Sequence, residues 1–317
     1  MSIVGRDDLG APNDVAVKIP LQEMIMNKIW STYLQTTETL YQTRQLRFDD
    51  RFKDLYTRIF DIDNVKNILE IGAGPGALTQ ALSRWYPNTE VIGSDRDTEF
   101  IKFARSKAPH IKFVEADINA PLPFEDNSFD AAISHTVHEH VEPGRFYGEQ
   151  YRILKPGGVC LVLSAGRKSI YASSSVTEEI SDFEKEMKLK TEQYYKSADE
   201  RYNVGKYGCS EQKMALQMSE YGFKNIETHY FGINLTPDSA QYEKDFAVKM
   251  IETNRRVHLD SLEYLPHIAP NVVTDEEIKK WADEINRKYD KRIELYHAGD
   301  KQWDISISFT MLLRGEK

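Results

Sequence analysis

The chain has 317 residues, a formal net charge of −9, and 17 Tyr and 14 Phe. It therefore exceeds one ordinary domain of roughly 100–200 residues and has apolar mass for a sizeable core, while the lack of a polybasic run disfavours a nucleic-acid partner. Two cysteines make no disulfide framework, no apolar run approaches about 18 residues, and the first residues lack a charged-then-apolar leader, so a cytoplasmic protein without a membrane segment is expected.

Pro20 to Arg47 is helical in pattern, with Leu21, Met24, Ile25, Ile29 and Tyr33 at spacings of three and four. Near its end Tyr41, Arg44 and Phe48 share one helix face. Arg44 is a candidate fork for a substrate carboxylate or phosphate, or else one half of an ordinary salt bridge. The apolar run Ile68-Leu-Glu-Ile71 then breaks into Gly72, Gly74 and Gly76 before a helical stretch. That pattern is a buried strand turning sharply into a helix, whose free N–H groups and bare backbone suit a nucleotide-like cofactor. Gly72, Gly74 and Ala77 satisfy the dinucleotide template, with Asp95 about 20 residues on for a ribose hydroxyl. The loop alone leaves nicotinamide and S-adenosylmethionine both open.

Further strands are expected at Glu90–Asp95, Ile111–Asp117, Phe129–Ser134 and Val159–Ser164, with Ile153–Gly158 as a turn. Their alternation with helices predicts an α/β, Rossmann-like doubly wound sheet, mostly parallel, with ligands at the carboxyl ends of the strands. Ser175 and Glu178 read as a capping box ahead of Val176, Ile180, Phe183 and Met187. A helix is expected from Glu211 to Tyr221 and a strand from Lys224 to Leu235. Thr236-Pro237 reads as the opening of a helix carrying Tyr242, Phe246 and Met250. Thr274 and Glu277 read as the cap of another, carrying Ile278, Trp281, Ile285 and Tyr289. Trp303–Met311 alternates as a final, antiparallel strand. The expected division is an N-terminal helical segment (1–62), a cofactor-binding core (63–165, continued by 210–235 and 301–317), and two helical insertions (166–209 and 236–300). The N-terminal segment and both insertions are expected to form one helical cap, or lid, with Tyr194, Tyr195, Tyr202 and Tyr207 near its pocket.

Three phrases, Glu70-x-Gly72-x-Gly74-x-Gly76, Pro121-Leu-Pro-Phe-Glu-Asp-Asn-Ser-Phe-Asp130 and Leu154-Lys-Pro-Gly-Gly158, occur in that order. Together they resemble the type 11 family of class I S-adenosylmethionine-dependent methyltransferases over roughly residues 65 to 165. The resemblance implies that Asp95, with Arg96 beside it, accepts both ribose hydroxyls. It implies that Asp117 receives the adenine amino group with Ile118 beside the ring. Gly72, Ala73, Gly74 and Gly76 would border the methionine portion, Glu70 would hold its ammonium, and the backbone at Ser134 and His135 would complete the pocket. The implied activity is methyl transfer to a nitrogen, oxygen, sulfur or carbon of a small molecule under the lid. A protein or RNA methyltransferase and a non-catalytic cofactor-binding protein are the alternatives.

His135, His138, Glu139 and His140 follow the fourth strand. His135 and His138 are the candidate general bases, with a metal site or a purely structural role as the alternatives; Glu139-His140-Val141 resembles a common family phrase that need not be catalytic, and no metal is expected. Tyr41, Arg44, Tyr195 and Tyr207 are the candidate substrate contacts. An N-terminal helix also suits a homodimer.

Overall fold

The computed structural model describes residues 30–165 and 170–317. The helical pattern expected over 20–29 lies outside the described residues.

β1 (Asn67–Ile71) reads as a continuous apolar run because both of its faces are covered, and Ile68, Leu69 and Ile71 are all buried. It pairs in parallel with β2 (Glu90–Asp95) on one side and β4 (Phe129–His135) on the other. β3 (Lys112–Glu115) extends the sheet beyond β2 and β5 (Leu154–Ala165) beyond β4, both parallel. β8 (Ile305–Glu316) then runs antiparallel between β5 and β7 (Lys224–Asn234), as the alternating final strand predicted. A short strand that the sequence did not announce, β6 (Ile170–Ala172), pairs with the start of β8. The doubly wound, mostly parallel sheet expected from the strand–helix alternation is thus present.

The pleat sorts the core by residue parity. Ile68, Ile133, Leu161 and Leu163 face one layer, where they meet Tyr56 and Phe60 of α2 (Lys53–Phe60) and Leu78, Leu82 and Trp85 of α3 (Ala77–Trp85). Leu69, Ile71, Ala132 and Val162 face the other. There they pack on Phe146, Tyr147 and Ile153 of α5 (Pro143–Ile153) and on Met214 and Met218 of α7 (Glu211–Glu220). Between these, α1 (Thr37–Arg47) precedes the core and α4 (Thr98–Lys107) joins β2 to β3.

The insertions build a core of their own. Met187 of α6 (Asp182–Arg201) packs with Ile251 and Leu262 of α8 (Lys244–Glu263), Leu265 of α9 (Leu265–Ile268), and Trp281, Ile285 and Tyr289 of α10 (Asp275–Ala298). The capping box at Thr274 and Glu277 forms as expected. Two helix starts are corrected. The Ser175 hydroxyl accepts from the N–H of Thr177 and so closes a local turn, and the reciprocal cap lies at Ser181 and Glu184, which opens α6 six residues later than expected. Thr236-Pro237 opens a loop rather than a helix, and α8 begins only at Lys244, leaving Tyr242 ahead of it.

That loop is held by a buried charge. The Arg292 guanidinium is fully buried and donates from Nη2 to Asp238 Oδ2 at 2.6 Å and from Nε to Asp304 Oδ2 at 2.7 Å. It ties α10 to the loop after β7 and to the chain entering β8. Removing one partner of such a buried pair strands the other charge. Asp238→Ala is expected to cost about 3–5 kcal/mol in urea unfolding; an unchanged unfolding midpoint overturns this role.

Candidate active site

The carboxyl ends of β1, β2 and β4 open into a cavity of about 470 Å³, within the range of roughly 300–1,000 Å³ usual for small-molecule sites. Its wall starts where β1 ends. The chain reverses through Gly72 (φ +70°), Gly74 (φ +54°) and Gly76 (φ +85°) before α3 begins at Ala77. At two of these positions the conformation is joined by lack of room. A Cβ on Gly72 would stand 2.3 Å from Val137 Cγ2, and one on Gly76 would stand 2.9 Å from Ala104 Cβ and the Phe113 ring. Gly76 is therefore a packing position between α3, α4 and β3, and it does not line the cavity.

The loop is pinned to the neighbouring strand. Ala73 N–H donates to the Ser94 carbonyl at 2.9 Å, and Gly74 N–H donates to Asp95 Oδ2 at 2.8 Å. Asp97 N–H donates to Asp95 Oδ1, also at 2.8 Å. Each Asp95 oxygen thus has one backbone donor and keeps acceptor capacity for the cavity. Desolvation in the cavity wall pushes the Asp95 carboxyl up to about 6, against the lowering effect of those two N–H donors. Glu70 is buried beneath the loop, accepts from Thr79 Oγ1, and is pushed up to about 8 by burial, with the nearby Asp95 charge adding to the rise. Asp117 follows β3; its Oδ1 takes both the N–H and the side-chain amide of Asn119, and Arg96 stands 4.0 Å from its Oδ2.

The roof comes from distant segments. Leu40, Arg44 and Phe48 line the cavity from α1 and the residue after it, a spacing of four that puts them on one helical stripe. Trp30 sets its ring edge-on to His140 with centroids 4.8 Å apart, and Ser31 donates from N–H and Oγ to the Asp97 carboxylate. Val204 and Gly205, from the segment between α6 and α7, complete the cover. Gly205 N–H donates to His140 Nδ1 and Tyr207 N–H to the Glu139 carbonyl, each at 2.9 Å. Among the described residues, none of α6, α8, α9 or α10 lines the cavity. The insertion helices support the roof rather than form it, which revises the expected lid.

The three imidazoles have different surroundings. His135 lines the cavity, packs edge-on against Phe48 at 5.1 Å, and is held neutral by burial, with Arg44 and Arg47 adding to the drop in its pKa. His140 lines it too, with Nδ1 committed as an acceptor from Gly205. His138 is buried away from the cavity, its Nδ1 2.9 Å from Glu139 Oε2 and its ring near Phe146. Arg44 Nη2 donates to Thr136 Oγ1 at 3.3 Å.

Of the residues singled out in the sequence, the cavity gathers Glu70, Gly72, Ala73, Gly74, Asp95, Arg96, Asp117, Ile118, His135 and Arg44. Six of the candidate site residues stand apart from it. Besides Gly76 and His138, Ser134 is buried in β4, and Tyr41 turns to Gln80, donating to its Oε1 at 2.9 Å. Tyr195 donates to the Ser261 carbonyl within the helical additions, and Tyr207 contributes its backbone but not its ring to the cover. The corrections at Tyr41 and Tyr195 share a cause: each side chain meets a partner that only the folded chain brings near, whereas His138 turns to its neighbour Glu139. Sequence reasoning missed Trp30, Leu40, Thr136, Val204 and Gly205 among the cavity residues; of these five only Leu40, four before Arg44, had a periodic signal.

A family model described as a methyltransferase domain matches residues 69–162, the span from β1 to β5 that carries this wall. Residues 69–162 thus carry a methyltransferase domain. Among curated proteins, the chain is 38% identical over 103 residues to a demethylmenaquinone methyltransferase of Thermus thermophilus, covering 31% of this chain and 46% of that one. It is 30% identical over 112 residues to a trans-aconitate 2-methyltransferase of Azoarcus sp., covering 35% and 43%. The matched region thus spans under half the length of these relatives. In fold, it resembles Haemonchus contortus phosphoethanolamine N-methyltransferase 2, solved with phosphomonomethylethanolamine and S-adenosylhomocysteine. That likeness has a TM-score of 0.51 at 15% identity and covers 92% of this chain and 60% of that one.

The raised carboxyl of Glu70 has a measurable consequence. Its folded-state pKa near 8 stands above the ordinary 4.5, so the folded protein holds a proton there that the unfolded chain has lost. Stability of the cofactor-free protein is therefore expected to fall as pH rises from about 6 to 8, and Glu70→Gln to flatten that fall. Urea unfolding at pH 6, 7 and 8 checks this; equal slopes in both proteins overturn it.

Proposed function

We propose that this methyltransferase uses S-adenosylmethionine to methylate a small molecule enclosed in the cavity. The observation that carries the reading is the Asp95 carboxylate, fixed by the N–H groups of Gly74 and Asp97 with acceptor capacity left for a ligand.

The residues fit the cofactor in other respects. A carboxylate with two backbone donors has lone pairs left for both hydroxyls of a ribose. Asp117, oriented by Asn119, suits an exocyclic amine, and Ile118 offers an apolar neighbour for a base. The desolvated Glu70 suits an ammonium, whose charge would return the carboxylate to its ionised form. The bare backbone of Gly72 and Gly74 admits a ligand at close range. Bound there, the cofactor supplies an electrophilic methyl group on a positively charged sulfur.

The chain's own contribution is alignment, exclusion of water and, for an acceptor that must lose a proton, a base. The roof of Trp30, α1 and Val204–Gly205 covers the strand ends, which favours aligned attack and keeps water from competing. His135, neutral and on the cavity wall at the end of β4, is the group suited to accept a proton at a ring nitrogen. Enclosure of this kind supports a small acceptor over a protein or RNA, as does the net charge of −9. Two of the curated relatives are named for small acceptors, demethylmenaquinone and trans-aconitate.

Incubation of cell-extract metabolites with the protein and methyl-deuterated S-adenosylmethionine tests the reading. One small molecule gaining one labelled methyl is the expected result, and label appearing only in protein or RNA overturns it. Asp95→Ala is expected to weaken S-adenosylhomocysteine binding by about 100-fold in calorimetry, since charged hydrogen bonds are worth about 1.5–3 kcal/mol each; unchanged affinity removes Asp95 from the site. His135→Gln is expected to lower kcat with cofactor affinity intact, and an unchanged kcat across pH returns His135 to a packing role.

A further inference from the structure

Two arginines of this chain sit within the protein on very different terms. Arg292 has Asp238 and Asp304 against its guanidinium. Among the described residues Arg44, on the cavity wall, has no carboxylate within 4.0 Å, and its one side-chain hydrogen bond goes to a neutral hydroxyl, that of Thr136. A guanidinium carries five N–H donors, and leaving its charge uncompensated away from bulk water is costly. Burial, with the neighbouring Arg47 adding to it, lowers the Arg44 pKa to about 9, against the opposing pull of the more distant Glu139 and Glu70 carboxylates. Arg44 keeps some accessible surface and lines the cavity.

Thr136 adds an independent sign of construction. It is β-branched, yet it holds φ +55°, a left-handed conformation that such residues rarely adopt. Its N–H donates to the Leu163 carbonyl at 2.8 Å, and its hydroxyl meets Arg44. Strain of this kind persists where surrounding structure over-determines it, and it clusters at ligand sites.

We infer that Arg44, positioned by Thr136, is the receptor in this cavity for a carboxylate-type oxyanion of the ligand. The unpaired donors of the planar fork then meet the two oxygens that the protein itself does not supply. Two sources carry that chemistry: the amino-acid end of the cofactor and an anionic acceptor. The inference rests on the methyltransferase reading only for the first of these.

The experiment has two arms, each run on wild type, Arg44→Gln and Arg44→Lys. Calorimetry compares S-adenosylmethionine with its decarboxylated form, which keeps the ammonium and lacks the carboxylate. Thermal shift then measures malonate, citrate and inorganic phosphate, with S-adenosylhomocysteine saturating and again without it. If the cofactor is the source, wild type prefers the carboxylate form by at least about 10-fold, and Arg44→Gln loses that ratio while binding the decarboxylated form as wild type does. If the acceptor is the source, the anions stabilise the wild type and not Arg44→Gln, with Arg44→Lys intermediate. Equal binding of both cofactor forms together with no anion effect overturns the inference, as does a preference that survives unchanged in Arg44→Gln when no anion effect depends on Arg44. Failure of both cofactor forms to bind, with anion stabilisation still dependent on Arg44, keeps this site and removes the proposed function. Failure of both cofactor forms with no such stabilisation removes both.

Discussion

The reversal of the chain between β1 and α3 is the constraint on which the site depends. Three positive-φ glycines let the backbone fold back over the strand end, and their missing side chains leave room that is already taken at Val137, Ala104 and Phe113. The same reversal turns Gly74 N–H onto the carboxylate ending β2. The loop after one strand thereby orients the acid at the end of the next. That coupling works only if β1 and β2 lie parallel and adjacent, with Ile71 opposite Ser94. Sheet register and site geometry are here one problem.

The helical additions serve the site indirectly. Their aromatic residues, Trp281 and Tyr289 among them, fill a separate apolar core. What reaches the cavity is a small set of backbone and side-chain groups on segments that this core braces. Thr36 Oγ1 donates to Asp260 of α8 at 2.7 Å, just ahead of α1. Leu46 of α1 packs with Phe246 and Met250. In this way the stripe of Leu40, Arg44 and Phe48 is held over the strand ends by helices that do not themselves touch the cavity.

Charge is distributed unevenly, and the unevenness carries function. Where the fold needs a buried cation it supplies two carboxylates, as at Arg292. Around the cavity the carboxylates of Glu70 and Asp95 are raised toward neutrality and the guanidinium of Arg44 is lowered, each chiefly by burial. Groups that pay desolvation without a full partner are poised for a ligand that brings the opposite charge or the missing donors.

The sequence by itself determined the parallel core, the glycine loop and the acids at the ends of β1 and β2. All of these follow from local spacing, namely the apolar runs, positive-φ glycines and a carboxylate at each strand end. It also announced the box at Thr274, because a capping box is complete within four residues. It misled at Ser175, where a two-residue turn competed for the same hydroxyl, and at Tyr41, one position off the stripe that faces the cavity. Only the tertiary structure decided that His135 and not His138 meets the cavity, and that Trp30 and Gly205 roof it. It also decided that Arg44 goes without the carboxylate that Arg292 receives. Each of these is set by contacts between segments tens to hundreds of residues apart, and no local pattern encodes which side chains such contacts bring together.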